Sequence, residues 1–448
     1  MTVQASERPL AGGFARRGAC PALSAPMKTG DGLLVRLNPV DGGVSPEALI
    51  GLCEAADEHG NGIVEVTARG SVQIRGLTAD SAVEFAAVVN KLGIPVRTGI
   101  PVQTGVMAGL DPGEISDPTP LAEAIRAGIA AAGLESLLGP KVSVVVDGGG
   151  RTALDEVAAD VRLTAVTGGG WIVAIAGDQQ SARPLGITDD EQATCNIALA
   201  LLSRIAEMGR QARGRDLNDA TLSGLVDGSE GRREAARSLI GETALRNQEL
   251  ALGVALPFGH ISADRLKAFA EKALTLGVED VRPAPKRTLV AICGSKRAAR
   301  ELGRTAEALG FITSPDDPTQ SISACPGAPD CASGYLPART IAAEIAREHA
   351  GFFDGSLHLH VSGCAKGCAH PAASTLTMVG GEREIGLVAD GTARDEAAAF
   401  ADRDAAGRAF ANVARLVSAE RLPGETTAHA IHMIGLSGLA EAFGKHGT

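Results

Sequence analysis

The chain has 448 residues, with 42 Lys and Arg against 53 Asp and Glu, a net charge of −11 and 45% apolar residues. That length implies roughly two to four domains, each able to bury its own core. The acidic balance and the few aromatics (10 Phe, one Trp, one Tyr) argue against a nucleic-acid partner. No apolar run reaches the ~20 residues of a spanning helix, so no membrane partner is expected.

Residues 1–31 read as an irregular N-terminal arm. Arg16-Arg17 is followed by Pro21, Pro26, Lys28 and Asp31 rather than by a sustained apolar stretch, so no export signal is expected. A reducing, cytoplasmic setting follows, and the eight cysteines are not a disulfide framework. Over 32–97, a strand at Val35–Leu37 leads to a helix start at Ser45-Pro46-Glu47: a hydroxyl cap, proline at the first helical position, and an acid on the positive end of the dipole. Leu49, Leu52, Cys53 and Ala56 share one face, and Gly60 ends the helix. Ile63–Val66 and Val72–Ile74 are strands around a turn at Arg69-Gly70. A longer α/β segment with its connection, 98–250, holds a strand from Lys141 and helices near 119–132 and 189–207.

The first unit then recurs over 251–318. Ser262 matches Ser45; Leu266, Phe269, Ala270 and Ala273 match the apolar face; Gly277 matches Gly60; Lys286 falls opposite Arg69. A repeat of this length is a duplicated domain. A second α/β domain, 319–448, has helices near 339–349 and 404–418, and its strand at His358-Leu-His360 lies opposite Lys141. The chain is therefore α+β, in two pseudo-symmetric halves.

Cys20, Cys53, Cys195 and Cys293 are scattered and read as small buried apolar residues. Cys325, Cys331, Cys364 and Cys368 form Cys-x5-Cys and Cys-x3-Cys pairs with Gly and Pro around them. The five-residue gap is wide for structural zinc. Small neighbours let backbone amides approach cluster sulfurs, which favours a [4Fe–4S] cluster, with zinc the alternative.

These residues resemble the siroheme nitrite/sulfite reductase-like iron–sulfur family. The resemblance rests on Cys-x5-Cys with Gly363-Cys364-x3-Cys368, and on Thr67-Ala-Arg69-Gly-Ser-Val-Gln73-Ile-Arg-Gly76, similar to that family's Thr-x-Arg-x-x-x-Gln-x-x-Gly signature. It implies two ferredoxin-like repeats, each with an α/β segment, and a cluster beside a tetrapyrrole. Three departures matter. Lys366 stands where the reductases carry Asn, 101–111 lacks Arg, and Ser143 replaces the second of two anion-binding lysines. The opening Arg17–Leu37 and Leu256-Pro-Phe-Gly259 look closest to a branch that takes a free tetrapyrrole as substrate and hydroxylates it with O2. A siroheme-dependent nitrite or sulfite reductase is the alternative, and a non-enzymatic iron–sulfur electron carrier the second.

The resemblance places Arg69 against a substrate carboxylate, where a guanidinium pairs bidentately. Arg36, Arg75, Lys141, Arg213 and Arg215 are further candidates for the same basic cavity. It also implies a mononuclear non-haem iron, since four thiolates fill the cluster and O2 must be activated elsewhere. Imidazole and carboxylate suit Fe(II). His358 and His360 alternate on a strand, and His370 lies just beyond Cys368, so these three are candidates for that iron or for the cavity. No Gly-rich nucleotide motif follows a predicted strand. NADH, the implied electron source, therefore acts through a separate reductase or ferredoxin.

Overall fold

The computed structural model describes residues 21–37, 43–151, 154–218, 222 and 238–444. They form two compact units: one contains Lys28–Gly32 and the chain from Asp316 on, the other the chain up to Pro315 apart from Lys28–Gly32. The paired arginines 16 and 17, Cys20 and much of the polar connection lie outside the described residues. The expected irregular arm contains a short strand, Met27–Thr29. There the Thr29 hydroxyl lies within hydrogen-bond reach of both Asp31 Oδ1 and the Gly32 carbonyl, its single proton shared between them, in a turn.

In the larger unit, the helix Pro46–His59 starts as its sequence dictates, with Ser45 accepting from the Ala48 amide at 3.2 Å. Its duplicate, Ala263–Thr275, starts differently, for the Ser262 side chain makes no cap. Instead the Ala263 amide donates to the Gly62 carbonyl at 2.8 Å, because His260–Ser262 pairs with Ile63–Val66 of the first repeat. The two duplicated helices pack on each other, and Leu49, Leu52, Phe85, Leu266, Phe269 and Leu302 belong to one shared core. Each such side chain, fully buried, stabilises by roughly 1.5–3 kcal/mol. Each repeat closes with a helix that the sequence reading lacked. Ala79–Lys91 carries a Thr78/Ser81 capping box, and Lys296–Ala308 is capped by Ser295.

The α/β segments contain two five-stranded sheets of the same plan. One runs Val102–Gln103, Val144–Asp147, Ala159–Ala165, Trp171–Gly177, Arg183–Thr188. The other, in the smaller unit, runs Ile322–Ala324, Leu359–Ser362, Ser374–Gly380, Glu384–Gly391, Ala399–Asp402. In both, the first two pairings are parallel and the last two antiparallel. Parallel neighbours need a crossover, supplied by Thr119–Ala131 in one and Ala338–Glu348 in the other, each entered from a proline. The expected strands at 141 and 358 begin later, so Lys141 and His358 precede them. The smaller unit is completed by Ala406–Glu420 and Thr427–Gly444, whose Phe410 and Phe443 are fully buried. No helix among the described residues is long and apolar enough to cross a membrane.

Candidate functional site

The loops that carry the four paired cysteines converge at one end of the second sheet. Cys325 follows strand Ile322–Ala324, and Gly363-Cys364 follows the adjacent parallel strand Leu359–Ser362. Loops leaving the carboxyl ends of adjacent parallel strands converge, which is where open α/β sheets bind ligands. The crossover helix thus brings together pairs far apart in sequence.

The loops touch through backbone. The Tyr335 amide donates to Gly363 O at 2.8 Å, Cys331 N to Gly327 O at 2.7 Å, and Gly334 N to Cys331 O at 2.8 Å. Gly363 N donates to the Cys325 sulfur at 3.1 Å. Side chains are excluded at three glycines. A Cβ on Gly363 would stand 2.9 Å from Gly327 Cα and 3.4 Å from Cys325 Sγ; one on Gly30 would stand 2.9 Å from Cys331 Sγ; one on Gly327 would collide with Leu336 O. Gly30, in the expected irregular arm, is a site residue that sequence reasoning missed. Its glycine identity was the only available signal.

Cys325 is buried, Cys331 and Cys364 half-buried, and Cys368 exposed. Burial pushes the Cys325 thiol up; amides of Gly363 and Gly327 oppose this, and Cys368 and Cys364 add to it. Burial also raises the Cys364 thiol, against the Lys366 amide and ammonium, with Cys368 and Cys331 contributing upward. Cys325 and Cys364 thus each feel neighbouring cysteines, and the amides that face them favour the thiolates that iron requires. Among the described residues no three His, Cys, Asp or Glu side chains gather closely enough to hold a single ion. The amide that Gly363 donates to Cys325 and the cradle closed to a Cβ at Gly363, Gly327 and Gly30 suit a [4Fe–4S] cluster, in which each of the four thiolates would bind a different iron.

The three candidate histidines come together. The His358 and His370 rings lie 4.3 Å apart by centroid, and His360 and His370 5.9 Å. His358 Nδ1 meets Ser374 Oγ at 3.0 Å and its Nε2 meets Ser323 Oγ at 3.1 Å, so both nitrogens are engaged by hydroxyls. His360 is fully buried. The three candidate histidines for the iron or the cavity thus form a ring cluster beside the cysteine loops.

In the larger unit, Arg69 is exposed at the turn between Ile63–Val66 and Val72–Leu77, its guanidinium donating to Ala158 O. Lys286, its counterpart, pairs with Glu156 at 2.7 Å. The two turns adjoin, the Lys286 amide donating to Ala68 O at 3.0 Å. Arg36 and Arg75 belong to an internal network. Arg36 Nη2 donates to Gln73 Oε1 at 2.6 Å, Gln73 Nε2 to Glu65 Oε2 at 3.0 Å, and Arg75 Nη1 reaches Glu65 at 3.4 Å. Arg213, a candidate for the substrate cavity, is engaged with a buried carboxylate. Its fork grips buried Asp160 at 2.8 and 2.9 Å, and Ser143 N and Gly214 N donate to the same carboxylate. A carboxylate so buried needs such pairing. Lys141 and Arg215 are exposed.

Residues 25–92 match the nitrite/sulfite reductase ferredoxin-like half domain. The fold is similar to that of the Mycobacterium tuberculosis NirA protein, with TM-score 0.72, 19% identity, and 91% of this chain and 84% of that one covered. A precorrin-3B synthase from Sinorhizobium sp is 36% identical over 435 residues, 96% of this chain and 95% of the relative. With the duplicated repeats, the twin sheets and the four-cysteine centre, this extent of identity means that the chain belongs to the precorrin-3B synthase family, within the nitrite/sulfite reductase-like fold.

Proposed function

We propose that the chain converts precorrin-3A to precorrin-3B in aerobic cobalamin biosynthesis, hydroxylating C20 of the macrocycle and closing a γ-lactone from the ring-A acetate. The observation that carries this reading is full-length similarity to a precorrin-3B synthase in a chain whose Cys325 and Cys364 follow two adjacent parallel strands. One oxygen atom of O2 becomes the C20 hydroxyl, and the ring-A acetate carboxyl adds across the adjacent macrocycle double bond, its oxygen bonding to the ring carbon and its proton passing to the neighbouring carbon. The other oxygen atom of O2 leaves as water, taking two electrons from NADH, delivered by a separate reductase or ferredoxin, and two protons. A [4Fe–4S] cluster on Cys325, Cys331, Cys364 and Cys368 supplies electron relay when bound. Arg69 orients the substrate by a carboxylate, with Lys286 beside it.

The reductase alternative has the fold on its side. Against it stands a thinned anion site: Ser143 has its amide committed to Asp160, 101–111 lacks Arg, and Lys366 is committed to Ser333. Nitrite or sulfite needs positive donors as charge builds, and neutral O2 does not. The test is incubation with precorrin-3A, an electron donor and ¹⁸O2, read by mass spectrometry. Product carrying one ¹⁸O is expected. An unlabelled product, or reduction of nitrite or sulfite by resting enzyme, would return the chain to the reductase reading.

A further inference from the structure

We infer that Lys366 sets the reduction potential of the cluster, holding it above the value that a neutral residue would give. The inference rests on the cluster reading. Lys366 lies between Cys364 and Cys368, and its ammonium donates to Ser333 Oγ at 2.7 Å. Ser333 is two residues past Cys331, so the charge is pinned from one cysteine loop onto the other. The Lys366 amide donates to the Cys364 sulfur, and its carbonyl accepts from Arg394 Nη2 at 3.5 Å. The charge, the amide and the carbonyl of one residue are thus all fixed at the cysteine loops. Lys366 and Ser333 are half-buried, where a charge is screened less than in bulk water.

The sign follows from charge balance. Reduction adds one electron to a thiolate-bound cluster that is already negative. A fixed ammonium stabilises the reduced form more than the oxidised one, so the potential rises. In the reductases that this chain resembles, the position carries neutral Asn. Ser333 supplies the second half of the device: an untethered lysine would extend into solvent and lose most of its influence.

The experiment is an EPR-monitored redox titration of the full chain reconstituted anaerobically with iron and sulfide. Lys366→Met and Lys366→Asn are expected to lower the midpoint by about tenfold in the ratio of reduced to oxidised cluster, about 59 mV for one electron. Lys366→Arg should stay near the parent value, and Ser333→Ala should shift part of the way. A full cluster in Lys366→Met with an unchanged midpoint overturns the inference. So does loss of the cluster in both neutral variants with retention in Lys366→Arg at any salt, which would make Lys366 a strut between loops. A parent protein that takes up no iron or sulfide contradicts the cluster reading itself, a result distinct from either.

Discussion

The two five-stranded sheets share strand order, direction and crossover, yet one ends in thiols and the other in carboxylates. In both, the loop after the first strand donates an amide to a glycine just after the second: Ile115 N to Gly148 O at 2.8 Å, and Tyr335 N to Gly363 O at 2.8 Å. Around Gly363 stand Cys325 and Cys364. Around Gly148 stand Asp111, Glu114 and Asp147, all buried. Asp147 accepts the Gly149 and Leu154 amides at 3.0 Å each and lies 3.8 Å from buried Arg162. The first sheet thus spends its strand-end carboxylates on its own loops, while the second carries thiols at the matching place. The backbone contact that gathers the loops is shared, and the side chains around it differ.

The largest expected effect separates the two ends. Serine at Cys325, Cys331, Cys364 or Cys368 should abolish cluster iron and product formation, measured by iron and sulfide analysis and by turnover; full iron and sulfide in any variant removes that cysteine from the ligand set. In the first sheet, Arg162→Met should destabilise by roughly 3–5 kcal/mol in denaturant unfolding, because it leaves Asp147 short of its cation, while iron content stays intact. Iron loss without destabilisation would contradict the division of roles.

The third expectation concerns pH. Burial pushes Glu114 up to about 8; the Gly109 amide opposes this, Asp111 and Asp117 add to it, and Arg246 lowers it. The folded protein therefore keeps a proton that the unfolded chain releases above its ordinary value of 4.5. The stabilisation is complete below pH 4.5 and is lost as pH rises through about 8. Glu114→Gln should remove that slope, gaining relative to the parent by on the order of 5 kcal/mol across the window. Parallel stability–pH curves would show that Glu114 titrates normally. The smallest effect is at Arg69. Arg69→Ala should weaken precorrin-3A binding by about 10- to 150-fold, roughly 1.5–3 kcal/mol, with the cluster unchanged. Unchanged affinity would assign Arg69 to its contact with Ala158.

Much of this was legible in the residues. The expected helices near 119–132, 189–207, 339–349 and 404–418 correspond to Thr119–Ala131, Glu191–Glu207, Ala338–Glu348 and Ala406–Glu420, since apolar periodicity and proline starts are local signals. The scattered Cys53, Cys195 and Cys293 are buried, with Cys53 and Cys293 pushed up to about 12 by burial. Ala79–Lys91 and Lys296–Ala308 escaped although Thr78 and Ser295 announce them, because the repeat was followed only as far as its strands. The contacts that the residues alone did not show are long-range. Nothing near Arg213 shows that Asp160 is its partner, nothing near His358 names Ser323 and Ser374, and Gly30 acquires meaning only against Cys331. Charge and residue type mark candidates; which are free for a substrate depends on partners that only the tertiary structure supplies.

The central claim is that this duplicated scaffold holds an iron–sulfur cluster and no permanent haem. Anaerobic purification with iron and acid-labile sulfide counts and an absorption spectrum tests it most directly. The account predicts about four iron and four sulfide per chain in the cluster, broad brown absorption, and no Soret band. A Soret band from bound siroheme, or zinc in place of iron and sulfide, would contradict it.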